Sequence, residues 1–356
     1  MTRPTKHPEG MEARAGAGLP PGQGERPAAP APGEVTAVAE GIRRLSVPML
    51  PPLRQVNAYL LAEPDGGISV VDPGPRSPEA EAVWDSALAK LGLAWRDIRR
   101  VMVTHHHPDH YGLAGLMQSR SGGCPVYLSA RAAAEADLMW GPAAEMDRRL
   151  PAFFRRHGMP EEWTSRLAEH LAGFVPQVTP QPDVTTDALP PEFGGRKWRV
   201  LETGGHAPGH RSFFSEADGL VLCGDAVLPR ISPNVSLLPG SDAQPLLRYL
   251  DGLRELGRLP ALLALPGHRE PFHGFADRTA SLLRHHEERL DETEALLAEG
   301  ARTGWEVCGG LFPPGRAAGI HQLRFAMSET LAHLAELVRR GRAEQAEGEP
   351  VFFRLG

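Results

Sequence analysis

Six consecutive residues, His105-His106-His107-Pro108-Asp109-His110, hold four imidazoles and a carboxylate. Neutral imidazole offers a lone pair near neutral pH, which makes histidine the commonest metal-ligating side chain. In extended chain, side chains alternate with period two, so His105 and His107 can point the same way and grip one ion. Pro108 disfavours helix at His107 and helps keep the segment extended. Asp109 and His110 fall where the next helix begins and can turn toward a second ion. Mixed nitrogen and oxygen donors suit Zn²⁺, with Fe or Mn as alternatives.

Four ligands do not complete a two-metal site. Three more candidates follow apolar β-like runs: His206 in TGGHAPGH, Asp225 in LCGDAV and His268 in LPGHRE. Each lies beside glycine or proline, and glycine permits tight loops and close backbone approach. Asp225 is a natural bridge, because a carboxylate has two oxygens. His106 and His210 adjoin candidate ligands and are read as outer partners rather than ligands. His273, His285 and His286 are read as surface or packing residues. Cys223 is read as a small buried apolar side chain.

Other elements must position these residues. The strand-like runs GIRRLSVPML, VNAYLLAE and GISVVDPG are separated by turn residues. A helix is expected from Ser77, a suitable N-cap, to Gly92, a suitable terminator. RRVMVT then reads as a buried strand running into the histidine-rich loop, with YGLAGLMQSR as the following helix. The alternation of strand, loop and helix predicts a layered α/β domain over residues 35–275. Apolar residues at helical spacing over about 138–185 predict inserted amphipathic helices, a candidate lid over the site. Residues 276–356 read as a small helical domain closed by a strand at EPVFFRLG. Residues 1–34 are rich in Pro, Gly, Ala and charge, and read as a disordered arm.

THHHPDHYG resembles the HxHxDH signature of the metallo-β-lactamase-fold hydrolases. VVDPG, GGHAPGH, CGDA and PGH resemble the other motifs of that family, in the same order. The resemblance implies an αββα sandwich of glyoxalase-II-like type, with inserted helices and a winged-helix-like C-terminal appendage. It implies two divalent ions: His105, His107 and His206 on the first, Asp109, His110 and His268 on the second, Asp225 bridging. Asp72 would support the metal loops without binding metal. Two ions about 3.5–4 Å apart can lower the pKa of a shared water toward about 7, and the hydroxide would attack a carbonyl or phosphoryl centre. Asp109 is also the expected catalytic residue, orienting the nucleophile or receiving its proton.

Composition narrows the function classes. The formal net charge of −6 disfavours a general nucleic-acid binder. Three scattered cysteines suggest no disulfide framework, and a cytoplasmic setting is expected. No run reaches the roughly 18 apolar residues a membrane helix needs. A small-molecule thioester or ester is the expected substrate. A phosphodiesterase or endoribonuclease acting on single-stranded nucleic acid is the main alternative, a lactonase or β-lactamase another, and a non-catalytic metal-binding protein a further one. In the appendage, Arg339, Arg340 and Arg342 are offset by neighbouring glutamates, which favours packing or homodimer formation over nucleic-acid contact.

Overall fold

The computed structural model describes residues 31–51, 53–186, 189–313, 319–346 and 348–356. Most of the expected arm, residues 1–30, lies outside them. The first sheet has seven strands in sequence order: β1 (Val35–Ala39), β2 (Ile42–Pro48), β3 (Gln55–Ala62), β4 (Ile68–Val71), β5 (Ile98–Met102), β6 (Val126–Tyr127) and β7 (Val184–Thr185). Pairing is antiparallel from β1 to β4 and parallel from β4 to β7. A short hairpin, β8 (Glu192–Phe193) and β9 (Arg196–Lys197), leads into the second sheet. That sheet runs β10 (Arg199–Thr203), β11 (His210–Ser215), β12 (Leu220–Gly224) and β13 (Leu263–Pro266).

Strand period divides the apolar residues between two cores. Tyr59, Leu61, Val71 and Met102 from the first sheet join Phe213, Leu222 and Leu265 from the second in one cluster between the sheets. Their alternates, Val56, Ala58, Leu60, Val70 and Val101, and Phe214, Val221 and Ala264, belong to the larger cluster shared with the helices. Two sheets, each covered on its far side by helices, make the expected αββα sandwich.

The helices are α1 (Pro78–Leu91), α2 (Pro108–Tyr111), α3 (Ala114–Ser121), α4 (Ala130–Trp140), α5 (Met146–Arg156), α6 (Glu161–Ala172), α7 (Pro245–Leu256), α8 (Phe275–Ala298), α9 (Gly304–Leu311) and α10 (Ile320–Arg339). Ser77 caps α1 by accepting from Ala80 N, and Gly92 ends it in the left-handed conformation, as its sequence requires. The expected insertion contains α5 and α6, packed against each other, but its last residues, Val184 and Thr185, form edge strand β7. Two residues are too few for strand period to show in the sequence.

The C-terminal part adds β14 (Arg302–Thr303), β15 (Ala343–Ala346) and β16 (Phe352–Leu355), an antiparallel sheet beside α9 and α10 in a winged-helix-like arrangement. Arg339 pairs with Glu336, Arg340 with Glu287 and Glu336, and Arg342 with Asp291 and Glu294. Among the described residues, no helix is long and apolar enough to cross a membrane.

Candidate metal centre

Parallel strands β4, β5 and β12, β13 end at the same rim of the sandwich, and the polar loops leave from those ends. Asp72 follows β4, Thr104 to Asp109 follow β5, Asp225 follows β12 and His268 follows β13. His206 lies in the turn between β10 and β11. This brings all seven expected ligands together, from loops separated by up to 163 residues of chain, as the numbers 105 and 268 show. Within the cluster, His105, His107 and His206 form one group, Asp109, His110 and His268 another, and Asp225 joins His105 and His110 in a third.

The spacing fits metal coordination. His105 Nε2 lies 3.0 Å from His107 Nδ1 and 3.3 Å from His206 Nε2. Nitrogens about 2.0–2.1 Å from a tetrahedral ion are separated by about 3.3 Å, so these three sit near the corners such an ion requires. Asp225 Oδ2 is 3.6 Å from His206 Nε2, 3.5 Å from His110 Nε2 and 3.3 Å from His268 Nε2. It therefore stands between the two groups. Asp109 Oδ2 lies 3.2 Å from His268 Nε2 and 3.6 Å from His110 Nε2. His110 Nε2, His268 Nε2 and Asp225 Oδ1 are buried without a hydrogen bond of good geometry. Orphaned buried polar atoms are costly, and convergent lone pairs of this kind fit a cation.

The opposite ring nitrogens fix the tautomers. His206 Nδ1 donates to the Asn234 carbonyl at 2.8 Å, and His268 Nδ1 to the Gln55 carbonyl at 2.9 Å. A carbonyl only accepts, so both Nε2 atoms carry lone pairs in the neutral rings. His110 Nδ1 donates to Asp72 Oδ2 at 2.9 Å. Thr104 Oγ1 donates to that carboxylate at 2.8 Å and accepts from His105 Nδ1 at 2.9 Å. Asp72 Oδ1 takes the Thr104 amide at 2.8 Å, so this one buried carboxylate ties the β4 loop to the β5 loop. Outer partners of this kind set ligand orientation and basicity.

His210 Nε2 accepts the Asp225 amide at 3.2 Å, and the His106 carbonyl accepts from Trp140 Nε1 at 3.2 Å. Neither ring joins the ligand groups. Burial pushes both down to about 3, so they remain neutral. Close approach also explains two glycines. A Cβ on Gly267 would stand 2.3 Å from Asp225 Oδ1, and one on Gly224, at φ +48°, 2.6 Å from His210 Nε2.

Electrostatics divide the cluster. Burial and neighbouring imidazoles hold His105 and His107 well below the ordinary histidine range. For His268 burial opposes the charge, but Asp225 and Asp109 outweigh it and raise the ring to about 10. His110 is likewise raised, by Asp225, Asp109 and Asp72 acting against burial. Without metal both rings are protonated at neutral pH, and a ligand must be deprotonated. Loading the metal-free protein at pH 7 should therefore release about two protons, one from each of these rings. Calorimetry in buffers of unequal ionisation enthalpy measures this, and a binding enthalpy independent of buffer would contradict it.

The support behind His206 carries no signal in the sequence. Asn234 Nδ2 donates to Glu329 Oε2 at 2.8 Å, and Ser236 Oγ lies 3.0 Å from Ser328 Oγ. Thus α10 holds the loop whose carbonyl orients a candidate ligand. Burial raises Glu329 to about 7. His286 on α8 and His333 on α10 lie 3.2 Å apart, both buried where the two helices meet. His273 is exposed, with Nδ1 donating to the Leu262 carbonyl.

Comparison with known proteins agrees with the geometry. The family model "Metallo-beta-lactamase superfamily" matches residues 51–268, and "Metallo-beta-lactamase-like, C-terminal domain" matches 290–355. The chain belongs to the metallo-β-lactamase superfamily and is a metallo-hydrolase of that group. It is similar to a metallo-beta-lactamase family protein from Thermus thermophilus, with 35% identity and a TM-score of 0.78 over 90% of this chain and 100% of that one. A Beta-lactamase domain protein from Burkholderia ambifaria gives 31% identity and 0.80 over 92% and 96%. "Probable metallo-hydrolase YqjP" of Bacillus subtilis is 29% identical, covering 81% of this chain and 90% of that protein. Hydroxyacylglutathione hydrolase of Methylococcus capsulatus is 26% identical, covering 73% and 80%.

Proposed function

We propose that the chain hydrolyses a small-molecule thioester or ester with two Zn²⁺ ions, His105, His107 and His206 holding one, Asp109, His110 and His268 the other, and Asp225 bridging. The observation that carries the reading is an aromatic pair joined directly to the histidine loop. Trp140 bonds the His106 carbonyl and packs on Phe174, their ring centroids 5.9 Å apart. Phe174 follows α6, which supports reading the inserted helices as a lid on the substrate side. An apolar wall suits an acyl group better than a polynucleotide. Arg339, Arg340 and Arg342 of the appendage are committed to ion pairs, which also favours a small substrate. The resemblance to a hydroxyacylglutathione hydrolase points the same way.

Two divalent ions supply Lewis acidity and lower the pKa of water toward about 7. The chain's own groups do the rest. For Asp109 burial opposes the charge, but His110 and His268 outweigh it and keep the carboxylate below its ordinary range. It accepts a proton from the attacking water and remains ionised beforehand. His106 and His210, neutral and buried, hold the ligand loops without competing for that proton. The wall of Trp140 and Phe174 excludes bulk water from the acyl side. A thiolate leaves readily, because free thiols titrate near about 8.5.

The test is a substrate panel with metal-free and Zn²⁺-reloaded protein: acyl thioesters, a lactone, a β-lactam, bis-p-nitrophenyl phosphate and single-stranded RNA. Thioester turnover that disappears with metal removal and returns with Zn²⁺ is expected. Cleavage of the phosphodiester or RNA without thioester turnover would replace this reading with the nuclease one. Thioester turnover that is unaffected by metal removal would overturn it.

A further inference from the structure

The N-terminal turns of α10 carry a second group of side chains toward the metal centre. Arg324 is partly buried, and among the described residues it has no carboxylate at ion-pair distance. Its Nε has no hydrogen-bond partner. The guanidinium carbon lies 4.3 Å from the Phe325 ring centre and 5.2 Å from that of Phe174, so two aromatic faces hold it in place. Beside it, His321 Nδ1 lies 3.1 Å from His170 Nε2, across the contact between α10 and the inserted α6. Burial lowers Arg324 to about 10, and the carboxylate that acts against this is Asp109. Asp109 also acts on His321. The Phe325 carbonyl accepts from Asn234 Nδ2, in the residue whose own carbonyl orients His206. Arg324 thus neighbours the residue that is hydrogen-bonded to the loop orienting His206.

An arginine held by aromatic faces, with donors left over, is unusual inside a protein. Buried cations are ordinarily paired, because desolvation is expensive. Two other partly buried arginines of the appendage follow that rule: Arg340 reaches Glu287 and Glu336, and Arg342 reaches Asp291 and Glu294. Arg324, by contrast, has no carboxylate partner among the described residues, and its Nε is left over. A guanidinium fork matches the two oxygens of a carboxylate or the oxygens of a phosphate.

We propose that Arg324 anchors an anionic group, a carboxylate or phosphate, on the small molecule that the metal site acts on, with Phe174 and Phe325 fixing the guanidinium from either domain. This deepens the proposed function and rests on it only for where the substrate lies. The substrate is then an anionic thioester or ester. The insertion and the appendage each supply part of its binding wall, and neither domain alone completes it.

The test uses ligands with no scissile bond, so it stands whether or not thioesters are substrates. Benzylthioacetate, its neutral amide and benzylphosphonate are titrated calorimetrically into full-length protein, metal-free and Zn²⁺-loaded. The wild type should bind at least one of the two anions about 10-fold or more tighter than the amide, as expected for a charge-assisted fork. That preference should persist without metal. In Arg324→Met it should fall below about 3-fold, and Arg324→Lys should lie between, since lysine keeps the charge but loses the fork. The tighter of the two anions identifies the natural group. A preference that survives in Arg324→Met but vanishes without metal would mean that the anion binds only the ions, and would overturn the proposal. Thermal melting gives the second readout. Arg324→Met should melt no lower than wild type, because an unpaired cation is replaced by an apolar chain. A clearly lower melting temperature would make Arg324 a structural residue and overturn the proposal. Tight anion selectivity with no thioester turnover would leave this subsite standing and remove only the proposed reaction.

Discussion

Asp225→Asn should leave the fold intact and lower turnover by about 10³-fold or more, equivalent to about 4 kcal/mol of barrier. The reason lies in its position. Asp225 Oδ2 is within 3.6 Å of nitrogens in both ligand groups. An amide has one acceptor oxygen and no charge, so it cannot serve two cations as a carboxylate does. In the metal-free protein the same change removes the counter-charge that helps raise His110 and His268. Both rings should then titrate at lower pH, which NMR of the imidazole protons would show. Metal analysis should give fewer ions per chain than the wild type. A variant with two bound ions and full turnover would show that Asp225 is not the bridge.

Asp72 is the second position where a small change should have a large effect. It is buried, stands at φ +54°, and accepts from the Thr104 amide, Thr104 Oγ1 and His110 Nδ1. Asparagine tolerates that backbone conformation, so strain is not the issue. In one orientation its NH₂ faces Thr104 Oγ1 and His110 Nδ1, and that ring must move its proton to Nε2, the nitrogen aimed at the second ion. In the other orientation the NH₂ opposes the Thr104 amide. Asp72→Asn should weaken metal binding about 10–100-fold while keeping the fold. Asp72→Ala leaves all three donors without their acceptor and adds left-handed strain. It should lose about 3–5 kcal/mol of stability, the range for removing one member of a buried charged pair. Denaturant unfolding and competitive chelator titration distinguish the two outcomes. An Asp72→Ala chain as stable as wild type, with unaltered metal affinity, would rule out this supporting role.

The convergence of the seven candidate ligands was legible because they are side chains placed by local rules. His105 and His107 show strand period, and His206, Asp225 and His268 each follow an apolar run at a glycine or proline. The groups that set the tautomers were not legible. The Gln55 and Asn234 carbonyls are main-chain atoms, and every residue has one. Strand β7, Val184–Thr185, was hidden by its length, and β1, Val35–Ala39, by the polar arm that leads into it. Arg324 lies 215 residues beyond Asp109, as the two numbers show, and nothing near it resembles a metal motif. Only the packing of α10 against the inserted α6 and the Asn234 loop brings it to the site.

The same packing ties the C-terminal domain to the candidate site. Through Glu329 and Ser328 it holds the loop that orients His206, and through Arg324 it presents a free cation. In this chain the candidate metal cluster belongs to the sandwich, whereas part of its support comes from α10 of the appendage.

That seven side chains hold two ions is tested most directly by an anomalous-difference map of Zn²⁺-loaded crystals recorded at the metal absorption edge. The expected result is two peaks: one among His105, His107 and His206, the other among Asp109, His110 and His268, with Asp225 touching both. A single peak, or peaks bound by His106, His210 or other residues, would contradict it.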